Sequence, residues 1–206
     1  HHAALSELPG SAEFTHAIDV DFPWMEQQLR AAIAQRRIEP RKDVLSHLLA
    51  ARIDGRVLTD EEVFAMAELL ISDGVGTTAS LVAQTLMYLD TDRDLRRILI
   101  AHPEKLPRAV EEFLRVFAPT QALARTVTRD THFRGHRFRV GDRVLLSWAS
   151  ANRDAQAFDD PDTVDIDRWP NRHTSFGMGV HRCAGSHLAR ALAVEMLGQI
   201  LGRMPD

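Results

Sequence analysis

The sequence lacks several features that mark particular classes of protein. It has one cysteine among 206 residues, which excludes an intrachain disulfide and a zinc site built from several cysteines, and which suits a reducing cytoplasm. It has no basic excess, with 25 Lys and Arg against 29 Asp and Glu, so it carries no electrostatic footprint for nucleic acid. No apolar run approaches the roughly 18–20 residues that cross a bilayer. We therefore expect neither a nucleic-acid nor a membrane partner.

What is present is typical of a globular, mainly helical chain with small β-hairpins. A capping box at Thr59–Glu62 opens the longest helical pattern, which continues to about Leu89. Apolar residues at helical spacing predict the other helices, alternating residues with turn signals predict short hairpins over 124–148, and an aperiodic stretch over 152–172 predicts an irregular loop. The other predicted helices lie at 21–52 (interrupted at Glu39-Pro40), 94–100, 106–117 and about 184–204.

The centre of the long helix is unusual because Gly74 and Gly76 lie next to Asp73 and Thr77 in an otherwise apolar segment. Each mid-helix glycine costs about 1 kcal/mol relative to alanine. Two interpretations stay open at this point. The glycines form a notch that lets another helix approach, or the helix is locally opened where it passes a cofactor or substrate.

The single cysteine, Cys183, lies in a glycine-rich loop directly before the last predicted helix. A helix N-terminus and a bound metal both favour the thiolate form of cysteine. This arrangement suits a thiolate that binds haem iron, with Phe176 shielding the sulfur from water. Taken alone, however, Cys183 fits an inert buried cysteine better. A cysteine nucleophile with His181 as its base is the third interpretation, and it lacks a residue to orient the histidine.

Four motifs in order resemble those of cytochromes P450, closest to the soluble bacterial members. Phe176–Gly185 matches Phe-x-x-Gly-x-x-x-Cys-x-Gly, the haem-binding loop of that family. Glu112-Phe113-Leu114-Arg115 resembles its Glu-x-x-Arg helix, and Asp167-Arg168-Trp169 resembles the segment whose arginine joins the same ion network. Gly74–Thr78 resembles the oxygen-binding stretch of its long central helix. The resemblance extends over nearly the whole chain from Asp21.

The resemblance implies a role for each matching residue. Cys183 would be the proximal ligand of the iron of haem b, and His181 and Arg125 would pair with the haem propionates. Thr77 would help to deliver protons during oxygen activation. The remaining residues implied at the cofactor are Phe176, Gly177, Gly185 and Gly74, and the implied structural ion network is Glu112, Arg115 and Arg168.

Some of these residues also have a plain interpretation from spacing alone. Glu112 and Arg115 are an i, i+3 pair, which without the resemblance would be a solvated surface ion pair worth well under about 1 kcal/mol. The other histidines show no ligand spacing and are expected at the surface: His132, His136, His173 and His187.

The resemblance also implies the domain organisation. We expect residues 1–206 to form one incomplete cytochrome P450 domain, the C-terminal haem-binding portion, without the N-terminal part and the final strands. Its segments would be helices before the central helix (21–58), the central oxygen-binding helix (59–90), helices that include Glu-x-x-Arg (91–119), hairpins and meander loop (120–175), and the haem-thiolate loop with the following helix (176–206).

One departure from the family bears on the chemistry. The family usually carries an acid immediately before the threonine, where this chain has Gly76. Asp73 lies one turn before Thr77 on the same helix face. Asp73 therefore either substitutes for the missing acid, or approaches the haem directly, or only caps a backbone opening made by the glycines.

The function implied by the resemblance is that of an oxidoreductase. It would be a monooxygenase that inserts one atom of O₂ into a small organic substrate. Its electrons would come from a separate ferredoxin or flavodoxin with its reductase, because no nucleotide-binding glycine fingerprint follows a strand. The alternatives are a peroxygenase driven by peroxide and a non-catalytic haem-binding remnant.

Overall fold

A computed structural model describes residues 11–205 and divides them into two compact units. One unit ends at Gly76 and the other begins at Thr77. The fold is mainly α with small β-hairpins, as the sequence predicts. The single domain expected over residues 1–206 stays a prediction, and its ends, residues 1–10 and 206, lie outside the described residues.

The first unit consists of short helices and one hairpin that lead into a long helix. Its core is formed by Leu29, Ile33, Leu49, Leu58, Val63 and Ala67. The hairpin of this unit turns at Asp54 and Gly55, which both have positive φ, 52° and 81°. The elements are α1 (Ala12–His16), a π-helical turn (Ala17–Asp21), α2 (Phe22–Ile38), α3 (Val44–Ala50), β1 (Arg52–Ile53) and β2 (Arg56–Val57).

The long helix α4 runs from Asp60 to Thr91, and the boundary between the two units falls within it. Its start is the predicted capping box. The Glu62 N–H donates to Thr59 Oγ1 at 3.2 Å, and the Glu62 carboxylate accepts the Thr59 N–H at 2.9 Å. Along its length α4 leaves large apolar side chains exposed, namely Met66, Leu69, Ile71, Val75 and Met87.

The second unit packs four helices around a common core. Leu81, Leu99, Phe113 and Leu197 are representative core residues, one from each of these helices. The elements after α4 are α5 (Arg93–Ala101), a 3-10 turn (Pro103–Lys105), α6 (Leu106–Phe117), β3 (Ala122–Thr126), β4 (Thr131–Phe133), β5 (His136–Phe138), β6 (Arg143–Ser147), α7 (Trp148–Ala151), a 3-10 turn (Gly179–His181) and α8 (Ser186–Arg203).

The strands of the second unit form two small antiparallel sheets. β3 pairs with β6 from Ala122↔Ser147 to Thr126↔Arg143, and β4 pairs with β5 across the turn at 134–135. Between α7 and the 3-10 turn at Gly179 the chain has neither helix nor strand, which confirms the irregular loop. Over residues 11–205 no helix is both long and apolar enough to cross a bilayer.

Candidate functional site

The single cysteine lies on a glycine-rich loop between the irregular segment and α8. Gly177 and Gly179 adopt left-handed backbone, with φ of 66° and 72°, which costs glycine little because it has no Cβ. The loop closes on itself where the Cys183 N–H donates to the Phe176 carbonyl oxygen at 2.8 Å. The helix predicted from about Ala184 begins at Ser186, three positions after the cysteine.

The thiol of Cys183 is exposed, so the interpretation as an inert buried cysteine is wrong. Glycine surrounds it, and a Cβ placed on Gly185 would lie 3.9 Å from Sγ. His181 is exposed too, and within residues 11–205 no hydrogen bond joins it to Cys183. The loop thus presents an accessible sulfur without the base that a cysteine nucleophile needs.

The two side chains predicted to bind the haem propionates are both exposed. Arg125 is exposed on β3, and its Nη1 donates to the neighbouring Ala124 carbonyl at 3.0 Å. His181 is exposed on the loop before Cys183. In the described part of the chain no carboxylate is paired with either side chain.

Glu112 and Arg115 form a completely buried ion pair on α6. The Glu112 side chain is 1% exposed and the Arg115 side chain is 0% exposed. The Arg115 guanidinium donates from Nε and Nη2 to the two oxygens of Glu112 at 2.8 and 2.7 Å, a bidentate pair. The solvated surface pair that spacing alone suggests is therefore not what the structure contains.

Arg168 joins this pair from the irregular segment. Its Nε donates to Glu112 Oε1 at 3.2 Å, and its Nη1 donates to the Asp159 carbonyl at 2.7 Å. Arg115 also binds the irregular segment, since Nη1 donates to the Pro161 carbonyl at 2.6 Å and Nη2 to the Thr163 carbonyl at 2.9 Å. The structure thus brings Glu112, Arg115 and Arg168 together.

The charge of Glu112 is stabilised despite its burial. Burial by itself raises the pKa of the Glu112 carboxyl, because it removes water from the charged form. Hydrogen bonds from Arg115, from the Asp165 N–H and from Arg168 outweigh burial and hold the pKa below its ordinary value. The network is therefore built around an ionised carboxylate.

The central stretch of α4 is a continuous helix. Every residue from Ser72 to Thr78 is helical, so the predicted local opening is wrong and Asp73 has no break to cap. A Cβ placed on Gly74 would meet no described atom within 4 Å, so no close approach requires glycine there. Thr77 is half-buried and Asp73 is exposed, one turn apart on one helix.

A second charged cluster, which sequence reasoning missed, lies beside the cysteine loop. Arg190 on α8 donates from Nε and Nη2 to the two oxygens of Glu111 at 2.6 and 2.9 Å. His173, expected at the surface, has a side chain only 3% exposed, and its Nε2 lies 3.2 Å from Glu111 Oε2. A charged residue between apolar neighbours, as Arg190 is between Ala189 and Ala191, was the available signal.

The pKa of the Glu111 carboxyl shows how strongly this second cluster binds it. Burial opposes its ionisation, but the hydrogen bonds from His173 and Arg190 prevail and lower the pKa from 4.5 to about 2. Glu111 is consequently an anion at neutral pH, and it is bound by Arg190 on α8 and by His173 just before the cysteine loop.

Asn152 is the other residue that sequence reasoning missed. It is fully buried, and its amide donates to the Arg115 carbonyl at 3.1 Å and to Ser175 Oγ at 2.7 Å. Its side-chain oxygen accepts the Thr174 N–H at 2.7 Å and the Thr174 hydroxyl at 3.0 Å. Asn152 thereby fastens the residues that lead into the cysteine loop.

Comparison with known proteins agrees with this geometry. The model of the cytochrome P450 family matches residues 100–204. Among residues 11–205 no group of three or more His, Cys, Asp or Glu side chains is arranged to hold a metal ion.

Individual relatives match over a longer range. The chain is 38% identical over 174 residues to a steroid C26-monooxygenase of Mycolicibacterium smegmatis, a match that covers 84% of this chain and 43% of that protein. It is 34% identical over 207 residues to the polyketide biosynthesis cytochrome P450 PksS of Bacillus subtilis, covering 100% of this chain and 50% of the relative. The chain thus spans about half the length of these relatives.

The fold of the chain is also similar to that of solved cytochrome P450 structures. A crystal structure of CYP109E1 from Bacillus megaterium in complex with corticosterone matches with a TM-score of 0.90 at 34% identity, over 98% of this chain and 55% of that one. The mainly helical architecture with small sheets is therefore that of the C-terminal part of such a fold. On the family match over residues 100–204 and the agreement in fold, the chain belongs to the cytochrome P450 family.

Proposed function

We propose that the chain is the haem-binding portion of a monooxygenase that inserts one atom of O₂ into a small organic substrate and releases the other as water. The observation that carries the proposal is the exposed Cys183 thiol on a loop closed by the hydrogen bond to Phe176. Haem b is the cofactor of cytochromes P450, and when bound it supplies the iron and porphyrin that carry out the oxidation. The chain's own residues hold that cofactor, orient it and move protons.

The residues of the cysteine loop fit a haem. Cys183 would offer the iron of the haem a single soft ligand. The loop contains Gly177, Gly179 and Gly185, and a Cβ on Gly179 would meet no described atom within 4 Å, so a flat ligand has room. Phe176 and Gly177 begin the loop, and Gly185 ends it beside the sulfur. The loop therefore has the donor and the space that this cofactor requires.

Arg125 and His181 would bind the haem propionates. Both side chains are exposed and neither is engaged by a carboxylate of the described chain. A guanidinium can bind a carboxylate through two parallel hydrogen bonds, which fixes orientation as well as charge. These two residues would thus set how the cofactor lies relative to Cys183.

Asp73 and Thr77 would carry protons into the reaction site. Gly76 leaves the position before Thr77 without an acid, and Asp73 provides the nearest carboxylate one turn earlier on α4. In this scheme the Asp73 carboxylate takes up a proton from solvent and the Thr77 hydroxyl passes one inward.

The proton path is tested by counting product formed per electron pair consumed. Asp73→Asn and Thr77→Ala should each lower the coupled turnover by at least about tenfold, because positioned acid–base groups typically contribute about 100-fold or more. Asp90→Asn, at the exposed end of the same helix, is the matched control and should change nothing. If Asp73→Asn keeps full coupling, the relay role of Asp73 is wrong.

The electrons would come from a separate ferredoxin or flavodoxin with its reductase, in the cytoplasm. Insertion of one oxygen atom consumes O₂, two electrons and two protons and yields the hydroxylated substrate and one water. Relatives whose names or structures include steroids support an apolar substrate of small to moderate size.

The decisive experiment is the absorption spectrum of the reduced, CO-bound protein. A haem with a thiolate ligand gives a strongly red-shifted Soret band, which the chain should show after haem is added. Cys183→Ser should abolish it, while Met178→Leu, an exposed change in the same loop, should leave it intact. A missing band in the unmodified chain, or a band that survives in Cys183→Ser, would contradict the proposal.

A peroxygenase is the second candidate, favoured by Gly76 in place of the usual acid and by the Asp73 carboxylate nearby. It requires hydrogen peroxide and no reductase. Turnover with peroxide alone at a rate that matches or exceeds the electron-driven rate would establish it over the monooxygenase.

A further inference from the structure

Glu111 and Arg190 connect two helices that flank the cysteine loop. Glu111 lies on α6 and Arg190 on α8, and their side chains are joined by two hydrogen bonds at 2.6 and 2.9 Å. Each side chain is 28% exposed, so the pair is partly shielded from water. A bidentate pair of this kind fixes the plane of the guanidinium as well as its position.

The fixed guanidinium lies over the first residue of the loop. The Arg190 Cζ atom is 4.5 Å from the centre of the Phe176 ring, a cation–π contact. Phe176 is in turn bonded to the cysteine, because its carbonyl oxygen accepts the Cys183 N–H at 2.8 Å. A continuous series of contacts therefore runs from Glu111 through Arg190 and Phe176 to Cys183.

His173 contacts both Glu111 and the Phe176 ring. Its Nε2 donates to Glu111 Oε2 at 3.2 Å, since a carboxylate oxygen only accepts, and its Nδ1 accepts the Ser175 N–H at 3.3 Å. Its ring centre lies 5.9 Å from that of Phe176. Phe176 thus contacts both Arg190 and His173, and Glu111 binds both.

We infer that Glu111 and Arg190 are positioning residues for Cys183: they fix Phe176, and Phe176 fixes the backbone that carries the thiol. The inference rests on the proposed function only in naming the thiol as a haem ligand. The pair acts on the cofactor site through Phe176, whose ring Arg190 contacts. Its role is to keep the loop in one conformation before a ligand arrives, so that little ordering is needed on binding.

Hydrogen exchange of the haem-free 206-residue chain tests this directly. Arg190→Gln and Glu111→Gln should speed the exchange of the Cys183 amide by about tenfold, because the bond to Phe176 then opens more often. Arg190→Lys keeps the charge opposite Glu111 but loses the planar group over Phe176, so it should speed the same amide too. Glu195→Gln, an exposed change on α8, is the matched control and should leave the exchange unaltered.

The segments in which hydrogen exchange becomes faster distinguish a positioning role from a general effect on stability. Faster exchange confined to 176–185, with α6 and α8 as protected as before, supports a positioning role. Faster exchange over α6 and α8 alike would mean that the pair only stabilises the fold, and would overturn the inference, as would unchanged exchange at Cys183.

A spectroscopic readout links the pair to the ligand. After haem is added, Arg190→Gln and Arg190→Lys should lower the fraction of reduced, CO-bound chain that shows the red-shifted Soret band, and Glu195→Gln should not. An unchanged fraction in both Arg190 variants would contradict the link. If the unmodified chain itself lacks that band, the proposed function fails, while the exchange experiment still decides whether Glu111 and Arg190 position the loop.

Discussion

Replacing Glu112 by glutamine should cost the second unit much of its stability. Glu112 accepts five hydrogen bonds: from Arg115 at 2.8 and 2.7 Å, Arg168 at 3.2 Å, the Asp165 N–H at 2.9 Å and Asn171 at 2.9 Å. Three reach Oε1 and two reach Oε2. Glutamine exchanges one of these oxygens for an NH₂ group, which can only donate and therefore faces donors in either orientation.

The expected loss of stability follows from the buried Arg115 charge, which Glu112→Gln leaves without its counter-ion. Arg115 has a side chain with 0% exposure, and the substitution deprives it of its counter-ion. Removing one partner of a buried ion pair typically costs about 3–5 kcal/mol. With a urea dependence of about 2 kcal/mol per molar, the unfolding midpoint should fall by about 2 M. The carbonyl groups of Pro161 and Thr163 still accept from Arg115, which places the effect toward the lower end.

Urea unfolding followed by far-UV circular dichroism measures this shift. Glu195→Gln makes the same chemical change at an exposed position of α8 and serves as the control. If the midpoint of Glu112→Gln coincides with that of Glu195→Gln, the network does not hold the fold in the way described.

Three further predictions follow from the same unit. Because the pKa of Glu111 lies at about 2, below its ordinary 4.5, its ion pairs stabilise the fold above about pH 4.5. That stability should be lost as the pH falls from 4.5 toward 2. In Glu111→Gln the urea midpoint should change less with pH over this range. If the urea midpoints of the variant and the unmodified chain fall in parallel, the assignment is contradicted. Gly177→Ala should lower the free energy of unfolding by about 1 kcal/mol or more, since φ is 66° there, and an unchanged thermal midpoint would disprove the strain. Gly198→Ala on α8 should instead raise it by up to about 1 kcal/mol, because the new Cβ makes an ordinary 3.5 Å contact with Leu106; a lower midpoint would mean that the contact is too tight.

The sequence was most informative where one local pattern determines one local feature. The capping box at Thr59 and the end of α2 before Glu39-Pro40 follow from residues close in sequence, and both are in the structure. The i, i+3 spacing of Glu112 and Arg115 predicted their contact but not their burial. Burial depends on the irregular segment, whose carbonyl groups follow no sequence period.

Long-range partners account for the errors. His173 was expected at the surface because its partner, Glu111, lies 62 residues earlier in the chain. The local opening, one of the two interpretations of Gly74 and Gly76, is absent, since 32 residues of continuous helix outweigh a cost of about 1 kcal/mol for each glycine. Neither result follows from a window of neighbouring residues. The placement of Asp73, Thr77 and Cys183 around a cofactor stays a prediction.

The contacts that Arg115 makes with the irregular segment have a consequence for folding. One guanidinium on α6 donates to the carbonyl groups of Asn152, Pro161 and Thr163, which lie 37, 46 and 48 residues later. A segment without secondary structure has no regular hydrogen bonds of its own to fix its backbone. The conformation of this segment therefore depends on its contacts with α6, which has to be formed before those contacts can be made. Contacts over such distances close large loops and form late. The segment and α6 should therefore lose their protection from hydrogen exchange together, as one cooperative unit, although one is a helix and the other is a loop.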